Sequence, residues 1–571
     1  MSNCGSTCSS TCDCELRSQK ILGKDEWRET RAVFKALGCS DDDLERPIIG
    51  IANTWNEINP GHQNLRMVAD YVRRGIYRAG GTPVEFGTIG ICDGVATANE
   101  GMRYALPHRE IIASSVELMA EGSRLDALVL LGSCDKIVPG LLMAAARLNL
   151  PCIVVNGGPA ISGPCFNGHQ SDICTTEEGT ALYREGKCTL QELDDLEDVC
   201  APTCGSCTYL GTANTMCCLS EVLGLSLPGS ALVPAVYNER LRVAFRSGEL
   251  IVDLVRKNVR ARDIITRESL SNAVTVLMGM GGSTNAVLHL VALGHEIGMD
   301  TAEVIDMIDK ASWDVPLVAK VYPSSNYDMA DLHKAGGVQQ IMKELKSKLY
   351  LDCLCVNGKT IGENMDEFRN KLGPVNREII RTIDDPFDKI ASIGIMYGNL
   401  APNSAVAKPN TVKEELQSFT GEAIVFESEE ECSDAIRNGE IKAGQVVVVR
   451  YEGPKGGPGM REMYRALKLL ESYHLEDSVA FITDGRFSGM NNGCAIGHIS
   501  PEAAEGGPIA IVQNGDKISI DIRNRDIHLH LSDEEIKERL SKWEYTPKKV
   551  GGFLSLYAKI AKSANEGGII L

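Results

Sequence analysis

The chain has no basic surplus: 58 Lys and Arg stand against 77 Asp and Glu, a net charge of −19. With no excess cations to neutralise phosphates, nucleic acid and anionic membranes are not expected as partners. A small acid remains allowed as substrate, because a locally positive site can sit on an acidic protein. No apolar run approaches the roughly 18 residues that cross a bilayer, so no membrane span is expected. The opening residues, Met-Ser-Asn-Cys-Gly-Ser-Thr-Cys, lack the basic and apolar regions of a signal peptide. The expected location is the cytoplasm. Aromatic residues are few at 5 %, whereas glycine is abundant at 56, which fits an α/β enzyme rich in tight turns.

Cysteine is plentiful, at 20, yet the chain is long and large enough to bury a core without disulfide staples. Cys4, Cys8, Cys12 and Cys14 lie in a Ser/Thr-rich stretch without apolar period. Residues 1–18 are read as a disordered tail that carries thiols, with a metal-binding tail as the alternative. The remaining length suggests two or three domains. Strands are predicted at 47–52, 86–89, 127–131 and 152–155, with helices at 64–80, 110–122 and 141–149 between them. That alternation predicts a mostly parallel sheet covered on both faces. A largely helical stretch follows over 253–348, then a polar helical connection over 354–381. Short strands at 423–426, 445–450, 479–482 and 509–512, and a hairpin over 517–531, mark a different texture. The fold class is therefore α/β, with a large N-terminal domain (19–380) and a smaller β-rich α/β domain (390–571).

The chemistry gathers at strand ends. Apolar Ala127–Leu131 runs into Gly-Ser-Cys134-Asp135-Lys136, and Ile89-Gly-Ile runs into Cys92-Asp93-Gly. In doubly wound sheets such ends line the active crevice. Thiolates suit iron or zinc and carboxylates suit magnesium, so one turn offers ligands for two kinds of metal. Asp93 and Asp135 make a shared magnesium site plausible. Lys136 would repel that cation unless it is neutral or converted, for instance to a carbamate. Cys200-Ala-Pro-Thr-Cys204-Gly-Ser-Cys207 is a second thiol cluster, spaced to share a zinc or an iron–sulfur cluster. Zinc lacks a completing CxxC or Cys/His pair. The radical-SAM reading of the same spacing lacks its aromatic, because Ser206 stands there. The glycine-rich 451–462 lacks a P-loop ending, and Ser488 in 482–489 has no histidine at triad spacing. A serine near a metal can instead serve as a base once its proton is lost.

These blocks resemble the dihydroxy-acid and sugar-acid dehydratase family over nearly the whole chain after the tail. The matching stretches are Asn53-Thr-Trp-Asn-Glu, Cys134-Asp-Lys-Ile-Val-Pro-Gly, Cys204-Gly-Ser-Cys-Thr-Tyr, Glu452-Gly-Pro-Lys-Gly-Gly-Pro-Gly-Met-Arg-Glu462 and Asp484-Gly-Arg-Phe-Ser488-Gly. The resemblance implies that Cys134 and Cys207 are iron–sulfur ligands. It makes Asp93, Asp135, Lys136 and Glu462 the magnesium residues, with Lys136 as N6-carboxylysine, and Ser488 the proton-abstracting base. It also implies a β-rich second domain that swivels on the first, and a homodimer or homotetramer. One departure stands out: Gly61 occupies the place of the third cysteine of [2Fe-2S] members. Some members with glycine there carry a [4Fe-4S] cluster, so both cluster types stay open, with Cys92 or Cys204 as the replacement thiolate. Residues 331–338 and 356–364 resemble the branched-chain enzymes. Residues 53–57 and 81–86 lean toward the sugar-acid ones. The expected reaction is dehydration of a 2,3-dihydroxy acid to a 2-keto acid in valine and isoleucine synthesis. An aldonic-acid dehydratase, for arabinonate or xylonate, is the alternative, and a non-catalytic iron–sulfur sensor a remote one.

Overall fold

The computed structural model describes residues 16–23, 25–487 and 493–571. Cys4, Cys8, Cys12, Cys14 and Ser488 lie outside the described residues. In the N-terminal domain four strands, β1 (Ile48–Asn53), β2 (Thr82–Gly87), β3 (Ala127–Leu131) and β4 (Cys152–Val155), form a sheet in the order β2-β1-β3-β4. Every pairing is parallel. β1, β3 and β4 are buried throughout, as their unbroken apolar runs require of a parallel sheet covered on both faces. Asn53 pairs with both Gly87 and Leu131, so three strands end level and release their loops side by side. β1 is where the strand order changes direction, and the crevice above such a point is where α/β sheets bind ligands.

Helix Ile137–Leu148 starts directly behind the β3 loop and is buried over its first ten residues. It presents the positive end of its dipole to the Cys134-Asp135-Lys136 turn. Helices Leu65–Ala79 and Asn238–Lys257 cross so closely that a Cβ on Gly75 would lie 2.1 Å from the Phe245 carbonyl oxygen. Over 354–381 only Ile361–Glu367 is helical. Asn370, Gly373 and Pro374 break the rest.

The C-terminal domain is a closed barrel. Strands Ser418–Phe426, Gln445–Val449, Ala480–Thr483 and Cys494–Ser500 run parallel, and Ala401–Ala407, Gly394–Gly398, Asp526–Leu529 and Lys517–Asp521 complete the ring. Val446 and Val448 fill the interior, while Val447 and Val449 pack outward under helices Glu429–Arg437 and Tyr464–Ser472. The strand expected at 509–512 is a short 3-10 helix, Pro508–Ile511, whose proline sits at the helix start, where its fixed φ is accommodated. Overall the molecule is an α/β protein with a parallel-sheet N-terminal domain and a β-rich C-terminal domain. Among the described residues no helix is long and apolar enough to cross a membrane.

Candidate active site

The three loops that leave the sheet together are tied to one another. Thr54 Oγ1 donates to the Leu131 carbonyl at 2.7 Å, and Asn56 Nδ2 donates to that of Gly90 at 3.0 Å. Buried His62 donates from Nδ1 to the Thr54 carbonyl and accepts at Nε2 from Ser133 N–H, at 2.9 and 3.1 Å. Burial lowers its pKa to about 4, so it serves as a neutral strut. The loops border a cavity of about 270 Å³ whose far side is supplied by Glu462 and Tyr464 of the C-terminal domain.

Lys136 is fully buried and donates to Asp93 Oδ2 and, at 3.0 Å, to Asp135 Oδ2. Burial and nearby Arg486 push its pKa down, but Asp135, Asp93 and Glu462 outweigh them and hold it above the ordinary lysine value. Burial raises the Asp93 carboxyl to about 6 against the pull of Lys136. Its second oxygen, Oδ1, is buried and has no hydrogen-bond partner. Glu462 arrives from the barrel. It pairs with Arg486 in an isolated parallel bridge, and Arg486 Nη1 and Asn285 Nδ2 both donate to its Oε2 at 3.0 Å. Arg486 is itself buried, with Nε on the Met460 carbonyl at 2.8 Å and Nη1 on Asn285 Oδ1 at 3.0 Å. The loop before Glu462 docks tightly on the first domain. Gly459 has φ +97°, and a Cβ there would lie 1.9 Å from the Arg103 carbonyl oxygen.

Cys92, Cys134 and Cys207 border the same cavity, whereas Cys204 does not. Cys92 stands at the start of helix Asp93–Ala96. A hydrogen bond from Cys134, then those from the N–H groups of Val95 and Gly94, lower its thiol to about 7. That same bond to Cys92, reinforced by burial, raises Cys134. Burial lifts Cys207 to about 12, opposed by a hydrogen bond from the Tyr209 hydroxyl. Cys174 and Cys200 also line the cavity. Cys174, Tyr209 and Asn285 were not visible as site residues from sequence, and Arg486 was quoted only inside its block. Only the Tyr209 position, two residues after Cys207, carried a local signal.

Among the described residues no three His, Cys, Asp or Glu side chains converge closely enough to hold one metal ion. The donors nevertheless fall into two chemically distinct sets. The Lys136 ammonium is held by Asp93 and Asp135, with Glu462 on the same cavity; a cation is stabilised there, and the unpartnered Asp93 oxygen is costly unless a cation or donor meets it. This oxygen set fits magnesium. The thiols of Cys92, Cys134, Cys174, Cys200 and Cys207 reach the cavity from separate loops. Soft donors arriving from separate loops in this way fit an iron–sulfur cluster.

The chain matches the N-terminal model of the dihydroxy-acid/6-phosphogluconate dehydratases over residues 46–364 and the C-terminal one over 378–568. It is 48% identical over 559 residues to a dihydroxy-acid dehydratase of Caldanaerobacter subterraneus, covering 97% of this chain and 99% of that protein. Proteins of the same name from Acetivibrio thermocellus and Pyrococcus furiosus are each 47% identical over 558 residues, covering 97% of this chain and all of theirs. With both halves matched and no large segment of the relatives missing, the chain belongs to the dihydroxy-acid/6-phosphogluconate dehydratase family and is a hydro-lyase.

Proposed function

We propose that this chain, as a cytoplasmic homodimer or homotetramer, dehydrates 2,3-dihydroxy acids to 2-keto acids, with the branched-chain acids of valine and isoleucine synthesis as substrates. The observation that carries the reading is the cavity wall. Beside its carboxylates and thiols, the cavity is lined by Ile161, Ile173, Ala160, Ala213 and Met102. Those apolar side chains suit a branched alkyl group.

Family membership implies metal cofactors. Asp93, Asp135, carbamylated Lys136 and Glu462 would hold magnesium. Cys134, Cys207 and a third thiolate would hold the iron–sulfur cluster, either [2Fe-2S] or [4Fe-4S]. Cys92 is favoured over Cys204 as that third ligand, since Cys92 lines the cavity with Cys134 and Cys207 and Cys204 does not. When bound, these groups supply Lewis acidity to the substrate's carboxylate, C2 oxygen and C3 hydroxyl.

The protein's own part is positioning and proton transfer. Arg486 from the barrel and Asn285 from the first domain hold Glu462 at the cavity. Ser488, two residues beyond Arg486, would take the C2 proton as an alkoxide. The C2–H and C3–O bonds break and a C2=C3 double bond forms. The proton and hydroxide leave as water, and the enol tautomerises to the keto acid.

The test is an anaerobic assay of purified protein with 2,3-dihydroxyisovalerate beside pentonates and hexonates. Keto acid is followed, and iron and sulfide are measured on the same sample. Turnover of the branched acid at the highest kcat/KM is expected. Preference for a pentonate would overturn the substrate, and no turnover of any of them with cluster present would leave a sensor.

A further inference from the structure

Asn285 and Arg486 hold Glu462, and both are supported in turn from a buried arginine away from the cavity. Arg109, in helix Pro107–Gly122, is fully buried. Its guanidinium spends every nitrogen on partners from three parts of the chain. Nε and Nη2 donate to Glu110 Oε1 at 3.0 and 2.7 Å, and Nη1 donates to His289 Nδ1 at 3.2 Å. Nη2 also donates to the Gly567 carbonyl at 2.7 Å and reaches that of Gly568 at 3.3 Å. The Tyr557 hydroxyl donates to the same Gly568 carbonyl at 2.9 Å.

A buried Arg–Glu pair between chain neighbours needs none of the other contacts. Each of those leads to a support of Glu462. His289 lies one turn beyond Asn285 on helix Asn285–Glu296, hence on the same face. Gly567 and Gly568 belong to the turn 563–568. That turn lies so close on the same helix that a Cβ on Gly567 would sit 2.9 Å from the Ala292 backbone nitrogen. Ala564 of the turn packs with Leu106, Leu288 and Met460 in a small buried cluster of its own. Met460 stands two residues before Glu462, and its carbonyl accepts from Arg486 Nε at 2.8 Å. We propose that Arg109 is a positioning residue for the dehydration. By tying helix Asn285–Glu296 to the 563–568 turn, it fixes Asn285 on one side and the Met460–Arg486 support on the other. It thereby sets where Glu462 stands relative to Asp93 and Asp135. This rests on the magnesium reading above. The planar fork is what the task requires, because lysine, a point charge on a flexible stem, cannot replace it.

The experiment uses full-length, anaerobically reconstituted protein and its Arg109→Lys, Tyr557→Phe and Glu462→Gln variants. Manganese binding is titrated by EPR without substrate, and iron, sulfide and melting temperature are measured on the same samples. Glu462→Gln identifies the relevant manganese site as the one it weakens. Arg109→Lys should raise the dissociation constant of that site by about 10-fold or more, as changes behind metal ligands do, with iron and sulfide at parental levels. Tyr557→Phe removes one hydroxyl and leaves the buried ion pair whole, so it should raise the constant by about 3-fold. A role in stability alone would lower the melting temperature without moving the constant. An unchanged constant in Arg109→Lys overturns the proposal whatever happens to the melting temperature. If that variant does not fold, an unchanged constant in Tyr557→Phe overturns it instead. A parent with no manganese site sensitive to Glu462→Gln overturns the magnesium reading itself, which is a distinguishable failure.

Discussion

Asp93 and Asp484 occupy equivalent positions in the two domains. Asp93 comes a few residues after β2, and Asp484 directly after strand Ala480–Thr483. Both are buried, and burial raises both carboxyls to about 6. Their oxygens are used in opposite ways. Asp484 accepts from the backbone N–H groups of Tyr451, Glu452 and Ala503 at 3.1, 2.9 and 2.9 Å. Glu502 beside it accepts from Lys455 and Gly456 N–H at 2.9 and 2.8 Å. These two carboxylates pin the glycine-rich loop that leads to Glu462. Asp93 instead spends one oxygen on Lys136 and leaves the other without a donor. A raised pKa therefore does not distinguish a scaffold carboxylate from a ligand-binding one. Between these two, the unfilled acceptor does.

The comparison breaks most visibly if Asp93 proves dispensable. Asp93→Asn should lower turnover by at least the roughly 100-fold that disturbing a metal site's surroundings can cost, with the melting temperature near the parent's. Parental turnover in a steady-state assay would sink the distinction. A somewhat smaller and reversible effect is expected from chelating magnesium under argon. Activity should fall and return on adding magnesium, while circular dichroism stays constant; activity indifferent to the ion would detach Asp93 from magnesium.

The barrel side carries the next effect, and there it is stability that changes. Asp484→Asn turns an amide donor toward backbone donors and should cost about 1–3 kcal/mol. That is several degrees of melting temperature by calorimetry, and an unchanged transition would refute the pinning role. The smallest effect concerns pH. Burial and Asp484 raise the Glu502 carboxyl to about 8 from an ordinary 4.5, although two backbone donors hold it down. Between those values the folded chain keeps a proton that the unfolded chain has lost. Its contribution is complete below about pH 4.5 and fades as pH rises toward 8. Glu502→Gln should therefore flatten the decline in melting temperature from pH 5 to 8. An unaltered slope would mean that Glu502 is already ionised when folded.

Much of this frame was legible in the residues because it is local. Unbroken apolar runs such as Ala127–Leu131 and Cys152–Val155 can only be buried strands, and a polar turn after each locates a loop at the sheet's edge. Strands Gly394–Gly398, Ala401–Ala407 and Cys494–Ser500 were missed for physical reasons. Pro402 and Asn403 interrupt one, and the last changes register between Gly497 and Ser500, with His498 at φ +56°. Such irregularities erase the alternation a strand is read from. The residues around Glu462 were hidden for a different reason. Asn285 and Arg486 are 201 positions apart and meet only through the packing of the two domains. No spacing rule reaches that far.

The level ending of β1, β2 and β3 also separates two kinds of change open to this protein. β2 and β3 are neighbours of β1 on opposite sides, so their loops are held roughly 10 Å apart, twice the strand spacing. That distance is a property of backbone pairing, and replacing side chains elsewhere leaves it alone. The wall with Ile161 and Ile173 belongs to no strand of this sheet. Its residues can be exchanged for larger, smaller or more polar ones while the spacing of the reactive loops stays the same. The frame behaves as a fixed jig and the wall as its interchangeable insert, which makes positions 160–177 the economical place to redirect this enzyme toward a different acid.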